Sequence, residues 1–178
     1  MLPPLGGGLK GENIMGDIYV VQGTASCGKT STIKEIFRIL DTKYPNCIKE
    51  VYLFKDARKL WLNNQHQAML KLIFRDRKDI KIEMQNVKGL LVGIESQGDP
   101  PYNRLEKSLD LFSNNGCDII FCAERNIPIN NGIVANWVKS HPKYKIKGSI
   151  TLQRIGNKQQ RTQSNLAQAQ SIVQQAGL

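Results

Sequence analysis

The sequence predicts an α/β fold, a three-layer sandwich with a mainly parallel central sheet and helices on both faces. Three observations predict it. Short β-branched and aromatic runs recur along the chain, and between them apolar residues return at every third or fourth position, so strand and helix patterns alternate. Two of the runs, GLLVGIE and CDIIFCA, are close to continuously apolar, as strands covered on both faces must be. The chain has 178 residues, 40% apolar and 22% charged, enough for one complete core and too few for two ordinary domains.

Residues 1–14 hold Pro3, Pro4 and the Gly6-Gly7-Gly8 run, which cannot offset their ordering entropy by burial; they read as a flexible tail before a single domain over residues 15–178. Met15 directly precedes the first structured segment and is a candidate natural start, the earlier residues being a leader or a cloning remnant. DIYVVQG, residues 17–23, reads as a buried strand ending in glycine. Ile33, Ile36, Phe37 and Leu40 then recur at helical spacing and predict an amphipathic helix over about 29–42, closed before Pro45. EVYLF, residues 50–54, is a second strand, and Leu60, Met69, Leu72 and Ile73 give the stretch from Lys59 to Phe74 helical spacing.

KIEMQ, residues 81–85, alternates with period two and leads through Asn86 to Gly89 into GLLVGIE, residues 89–95, so these two are expected to be adjacent strands. Pro100 and Pro101 break the chain; Leu105, Leu109 and Phe112 mark a helix that ends at Asn115-Gly116, before the strand CDIIFCA, residues 117–123. Val134, Trp137 and Val138 suggest a short helix and YKIKGSITLQRI a late strand. The Gln-rich stretch from about 158 to 176 closes the chain as a helix with Leu166, Ala169, Val173 and Ala176 on one side.

Between the first strand and the first helix stands Gly23-Thr24-Ala25-Ser26-Cys27-Gly28-Lys29-Thr30, a full G-x-x-x-x-G-K-[ST] pattern. Chance produces it on the order of once in a hundred chains of this length, and the strand-loop-helix setting makes it rarer still. Gly23 and Gly28 let the backbone take conformations that a side chain would block, so successive N–H groups turn toward one point as an anion nest. The nest opens on a helix N-terminus carrying about half a positive charge, and Lys29 adds a whole one. Thr30 offers a hydroxyl to Mg²⁺ between the β- and γ-phosphates, and Ser31 approaches the α-phosphate side. Cys27, beside Lys29 at a helix start, is either an acidified, oxidisable thiol or a packing residue.

Through GTASCGKT and the strands around it, the chain resembles the P-loop NTPase superfamily over residues about 17–125. The resemblance implies a nucleoside triphosphate and Mg²⁺, and leaves open what transfer or hydrolysis they serve. Such proteins also need an acidic group at the end of a neighbouring strand. Glu95, which ends LLVGI, is the candidate for metal binding and catalysis, followed by Ser96, Gln97, Gly98 and Asp99; Gln97 or Asp99 is the alternative for positioning water, and a plain turn into Pro100-Pro101 the bland reading. Glu124-Arg125 also follows a strand, on the ligand side of an open α/β sheet, where Arg125 would neutralise charge on a transferring phosphoryl group or simply pair with a carboxylate. The following NIPINNG, residues 126–132, is a candidate mobile loop over the site. His66 and His141 stand apart, without partners at metal-ligand spacing.

Twenty-five Lys plus Arg against fifteen Asp plus Glu give a net charge of +10, which excludes an acidic protein that repels nucleic acid. No carboxylate follows Glu124, while Arg125, Lys139, Lys143, Lys145, Lys147, Arg154, Lys158 and Arg161 do. Residues 125–161 are therefore either a surface for nucleic acid or an acidic protein, or, as the alternating lysines of YKIKGSI suggest, the solvent side of a strand. No apolar run approaches the roughly 18 residues of a membrane span, no secretory signal opens the chain, and Cys27, Cys47, Cys117 and Cys122 show no zinc spacing, so a cytoplasmic protein with reduced thiols is expected.

Three functions compete. The first is an ATP-dependent NTPase coupled to nucleic acid or an acidic partner. ATP is preferred because the nearest string to a guanine-reading N-K-x-D, Asn157-Lys158-Gln159-Gln160, lacks the carboxylate. The second is a small-molecule kinase of nucleoside or nucleotide type, with Glu95 accepting a hydroxyl proton and residues 125–147 as the lid. The third is a nucleotide sensor that exposes a partner surface without catalysis.

Overall fold

The computed structural model describes residues 16–52, 59–60, 79–97, 104–125 and 132–178. The expected N-terminal tail, the helical spacing between 61 and 74, Asp99 with the two prolines, and most of NIPINNG lie outside the described residues. In chain order the elements are β1 (Gly16–Gly23), α1 (Lys29–Lys43), β2 (Ile48–Tyr52), β3 (Lys59–Leu60), β4 (Lys81–Val87), β5 (Leu90–Glu95), α2 (Arg104–Asn114), β6 (Ile119–Arg125), α3 (Ile133–Ser140), β7 (Tyr144–Leu152) and α4 (Lys158–Gln175).

The strands form one seven-stranded sheet in the order β3-β2-β4-β5-β6-β1-β7. The side that carries β1 is parallel, as expected: β5 on β6, β6 on β1 and β1 on β7. The other side is antiparallel, because β4 and β5 are joined by a tight hairpin rather than a crossover. Asn86, Lys88 and Gly89 take positive φ there (58°, 55° and 81°), which lets the chain reverse in so few residues. The two strands expected to be adjacent are those two. Lys59 and Leu60, in contrast, do not begin a helix; they pair with Tyr52 and Val51 as an edge strand too short to leave any period in the sequence.

Strand parity divides the core between the two faces. Tyr19, Val21, Ile94 and Phe121 pack under α1 and α4, against Ile33, Phe37, Leu40, Ala169, Ile172 and Val173. Ile18, Val20, Ile120 and Cys122 pack against Leu105, Leu109 and Phe112 of α2 and Val134 and Trp137 of α3. The sandwich thus has helices on both faces. Leu166 departs from expectation: it is 39% exposed, and Ile172 takes the inward position instead. The inward face of α4 is apolar at Ala169, Ile172 and Val173, but one turn earlier it continues through Asn165, which lies against Gly28. No helix of the described residues is long and apolar enough to cross a membrane.

Candidate functional site

Parallel strands β1 and β7 send the chain out at the same edge of the sheet, so the helices that follow them, α1 and α4, begin side by side. Thr32 Oγ1, in the first turn of α1, donates to Asn165 Oδ1, two turns into α4, at 3.3 Å and ties the two helices together. Between them and the β5 end opens a cavity of about 580 Å³, lined by Ser26, Gly28–Ser31, Lys34, Asp79, Ser96, Gln97, Lys158, Arg161, Thr162 and Asn165.

The loop from Gly23 to Gly28 is tightly folded. Ser26 and Gly28 take positive φ, 59° and 105°, and Gly28 caps α1 without any side-chain hydrogen bond to the first turn, which also contains no acidic residue. Gly23 has to be glycine because the Cys27 Sγ occupies the place of a side chain there, so packing is the role that Cys27 visibly fills. Lys29 is 6% exposed, and its Nζ donates to the carbonyls of Gly23 and Thr24, both at 2.9 Å, drawing the loop around its own ammonium group. Of the nine loop residues singled out in the sequence, Ser26, Gly28, Lys29, Thr30 and Ser31 line the cavity; Thr24 and Ala25 are exposed and Gly23 and Cys27 buried, all four outside its lining.

Glu95 stands elsewhere. The register aligns it with Cys122 of β6, which in turn aligns with Val20 of β1, so Glu95 lies two strands from β1, about 10 Å away, and level with Val20 rather than Gly23. Parity turns its side chain toward α2, beside Ser108, on the face opposite α1. It is fully buried, its Oε1 accepts from the Gln97 N–H at 2.6 Å, and its Oε2 has no hydrogen-bond partner among the described residues. Burial pushes its carboxyl up to about 8, against the opposing pull of Ser108 and of Lys81, its cross-strand neighbour. The same burial lowers Lys81.

Among the described residues, the carboxylate that does reach the loop is Asp79, which belongs to no motif. Its Oδ1 accepts from Thr30 Oγ1 and from Ser96 Oγ, each at 3.0 Å. The antiparallel pairing of β4 with β5 puts it there: Ser96 N–H donates to the Ile80 carbonyl at 3.0 Å, and Ile80 N–H donates back to Ser96 Oγ at 2.7 Å. Gln97, the next residue, lines the cavity; its Oε1 is buried and has no partner among the described residues.

Arg125 ends β6 directly beside Gly23, exposed and outside the cavity lining. Glu124 is fully buried and serves the fold: Oε1 accepts from the Val134 N–H at 3.0 Å, capping α3, and Oε2 accepts from Gln22 Nε2 at 3.2 Å. Gly132 is required because any Cβ would meet that carboxylate, 2.6 Å away. The eight late cations do not form one surface. Lys143 and Lys145 precede or open β7 at the amino edge, where Lys145 reaches Asp17 at 3.8 Å, whereas Lys158 and Arg161 line the cavity at the carboxyl edge.

His141 stacks on Trp137 with ring centroids 3.8 Å apart and shares Asp110 with it, away from the cavity. No group of three or more His, Cys, Asp or Glu side chains is arranged to hold a metal among the described residues. No protein-family model, curated protein or solved structure matches the chain.

Proposed function

We propose that the chain is a Mg²⁺-dependent NTPase of P-loop type that binds ATP or another nucleoside triphosphate in this cavity and hydrolyses a phosphoanhydride bond. The observation that carries the reading is the meeting of Thr30 with Asp79 and Ser96 beside Lys29, at the uncapped start of α1. A hydroxyl, a carboxylate and a second hydroxyl are hard oxygen donors, and one carboxylate with waters and phosphate oxygens is the company Mg²⁺ keeps, so the donor set fits that ion. When bound, Mg²⁺ would neutralise charge on the phosphate tail and orient it.

The chain's own residues do the rest. N–H groups of the loop and of the uncapped first turn of α1 would donate to the phosphate oxygens, and Lys29 would exchange its two carbonyl partners for them. Gln97, which lines the cavity, is the group suited to hold a water for attack. Glu95 is then a positioning residue: its buried carboxyl accepts from the Gln97 N–H and fixes that backbone from behind. An acidic partner, nucleic acid first among them, would meet Lys143, Lys145 and Lys147 at the other edge of the sheet, each exposed.

A second reading, phosphoryl transfer to a small acceptor, is favoured by one observation: the cavity extends beyond the loop to α4. Hydrolysis of ATP by the purified protein, with Mg²⁺ or with chelator, with and without DNA or RNA, and against pooled nucleosides and nucleotides as acceptors, separates the two. Mg²⁺-dependent phosphate release that Lys29→Ala abolishes supports hydrolysis. Product formation only with one acceptor supports transfer, and nucleotide turnover unchanged in Lys29→Ala rejects the site.

A further inference from the structure

We infer that Lys158 and Arg161, on the first turn of α4, form a second phosphate clamp in the same cavity; the inference rests on the nucleotide-site reading and names the part of the ligand it grips, the phosphate tail. Among the described residues, four cationic side chains, Lys29, Lys34, Lys158 and Arg161, line this cavity against one carboxylate, that of Asp79. Neither the Lys158 ammonium nor the Arg161 guanidinium has a hydrogen bond or ion pair among the described residues. Asp79 Oδ1 takes the hydroxyls of Thr30 and Ser96, and no ion pair joins Asp79 to either cation among the described residues.

Their position is costly unless an anion comes to it. Cations at the start of a helix oppose its dipole, and this first turn has no acidic residue to offset them. The face on which they stand is set by the sequence. Lys158, Thr162 and Asn165 occupy the same side of α4 as the buried Ala169, Ile172 and Val173, so one continuous stripe is polar over the cavity and apolar over the sheet. The contact of Asn165 with Gly28 and Thr32 fixes the distance between the two helix starts, so the clamp is carried by the packed core rather than by a loop. A guanidinium and an ammonium together suit phosphate oxygens, the first by its planar fork and the second as a mobile point charge.

The test is equilibrium binding of Mg·ATP and Mg·tripolyphosphate to the full chain, with Lys158→Gln, Arg161→Gln, Arg161→Lys, Lys29→Ala and, as a control outside the cavity, Lys107→Gln. Each Gln variant at the clamp is expected to weaken both ligands by the same factor, about tenfold for a charge-assisted hydrogen bond, with Arg161→Lys recovering part of the loss and Lys107→Gln unchanged. Thermal unfolding of each variant confirms the fold. Wild-type affinity in both Gln variants while Lys29→Ala loses binding would overturn the clamp and leave the nucleotide site standing. A loss confined to ATP, with tripolyphosphate unaffected, overturns it as well, because the cations would then read the nucleoside. A wild-type chain that binds neither ligand removes the nucleotide site and the clamp with it.

Discussion

Gly28 is the point at which the loop, α1 and α4 meet, and replacing it with alanine measures how tightly that junction is built. Its φ of 105° is one that residues with a Cβ adopt at a cost of about 1–3 kcal/mol. The added Cβ would stand 2.7 Å from Asn165 Oδ1 and 3.1 Å from Nδ2, inside contact distance. Asn165 can swing away only by giving up its bond from Thr32, worth about 0.5–1.5 kcal/mol. Gly28→Ala should therefore cost about 2–4 kcal/mol, within the stability of an ordinary domain, so the variant stays folded and measurable. Urea unfolding of Gly28→Ala, Asn165→Ala and the double variant resolves the parts. Because the crowding needs both side chains, the double variant should be more stable than the sum of the single losses by about 1 kcal/mol, and the strain at φ should remain. A Gly28→Ala loss below about 0.5 kcal/mol, or strict additivity with Asn165→Ala, would refute the junction.

Other expectations follow from the same geometry. Asp79→Asn removes the carboxylate beside Thr30 and should raise the Mg²⁺ concentration for half-maximal ATP turnover by about tenfold to a hundredfold; an unaltered Mg²⁺ requirement would release Asp79 from the site. Because burial raises the Glu95 carboxyl from 4.5 to about 8, its contribution to stability is fully present below pH 4.5 and is lost as pH climbs through 8. Glu95→Gln should flatten that decline, which is on the order of a few kcal/mol, and an identical pH-stability curve in the variant would contradict the burial. Cys27, Cys117 and Cys122 are buried and Cys47 only partly so, with burial pushing the Cys117 and Cys122 thiols up; alkylation of the native protein should modify Cys47 first and alone, and equal rates at two or more cysteines would refute the packing.

Much of the fold was legible because its elements are long and periodic. The run DIYVVQG, the helix carrying Ile33, Ile36, Phe37 and Leu40, and the hairpin from Lys81 to Glu95 all state their period within a few residues. Lys59-Leu60 did not, since a two-residue edge strand has no period to read. The loop residues were legible from local chemistry, because two glycines, a lysine and a threonine at that spacing need no distant partner to be recognised.

Sheet order was not legible, and the acidic partner depended on it. Insertion of β6 between β1 and β5 moves Glu95 a full strand away, and period-two alternation then faces it toward α2. Asp79 precedes β4 as a solitary carboxylate, and only the pairing of Ile80 with Ser96 carries it to Thr30. For Lys158 and Arg161 a signal did exist: their helical spacing with Thr162 and Asn165, continuing into Ala169, Ile172 and Val173, marks the inward stripe, but the net charge of the whole segment obscured it.

If the chain binds a nucleoside triphosphate as proposed, the backbone from Gly23 to Thr30 wraps its phosphate tail. Amide resonances of ¹⁵N-labelled protein titrated with Mg·ATP test it residue by residue. The largest displacements are expected at Gly28, Lys29 and Thr30, with smaller ones at Asp79, Arg161 and Asn165. Saturable binding that leaves those loop amides unmoved while shifting resonances at the amino edge of the sheet would contradict it.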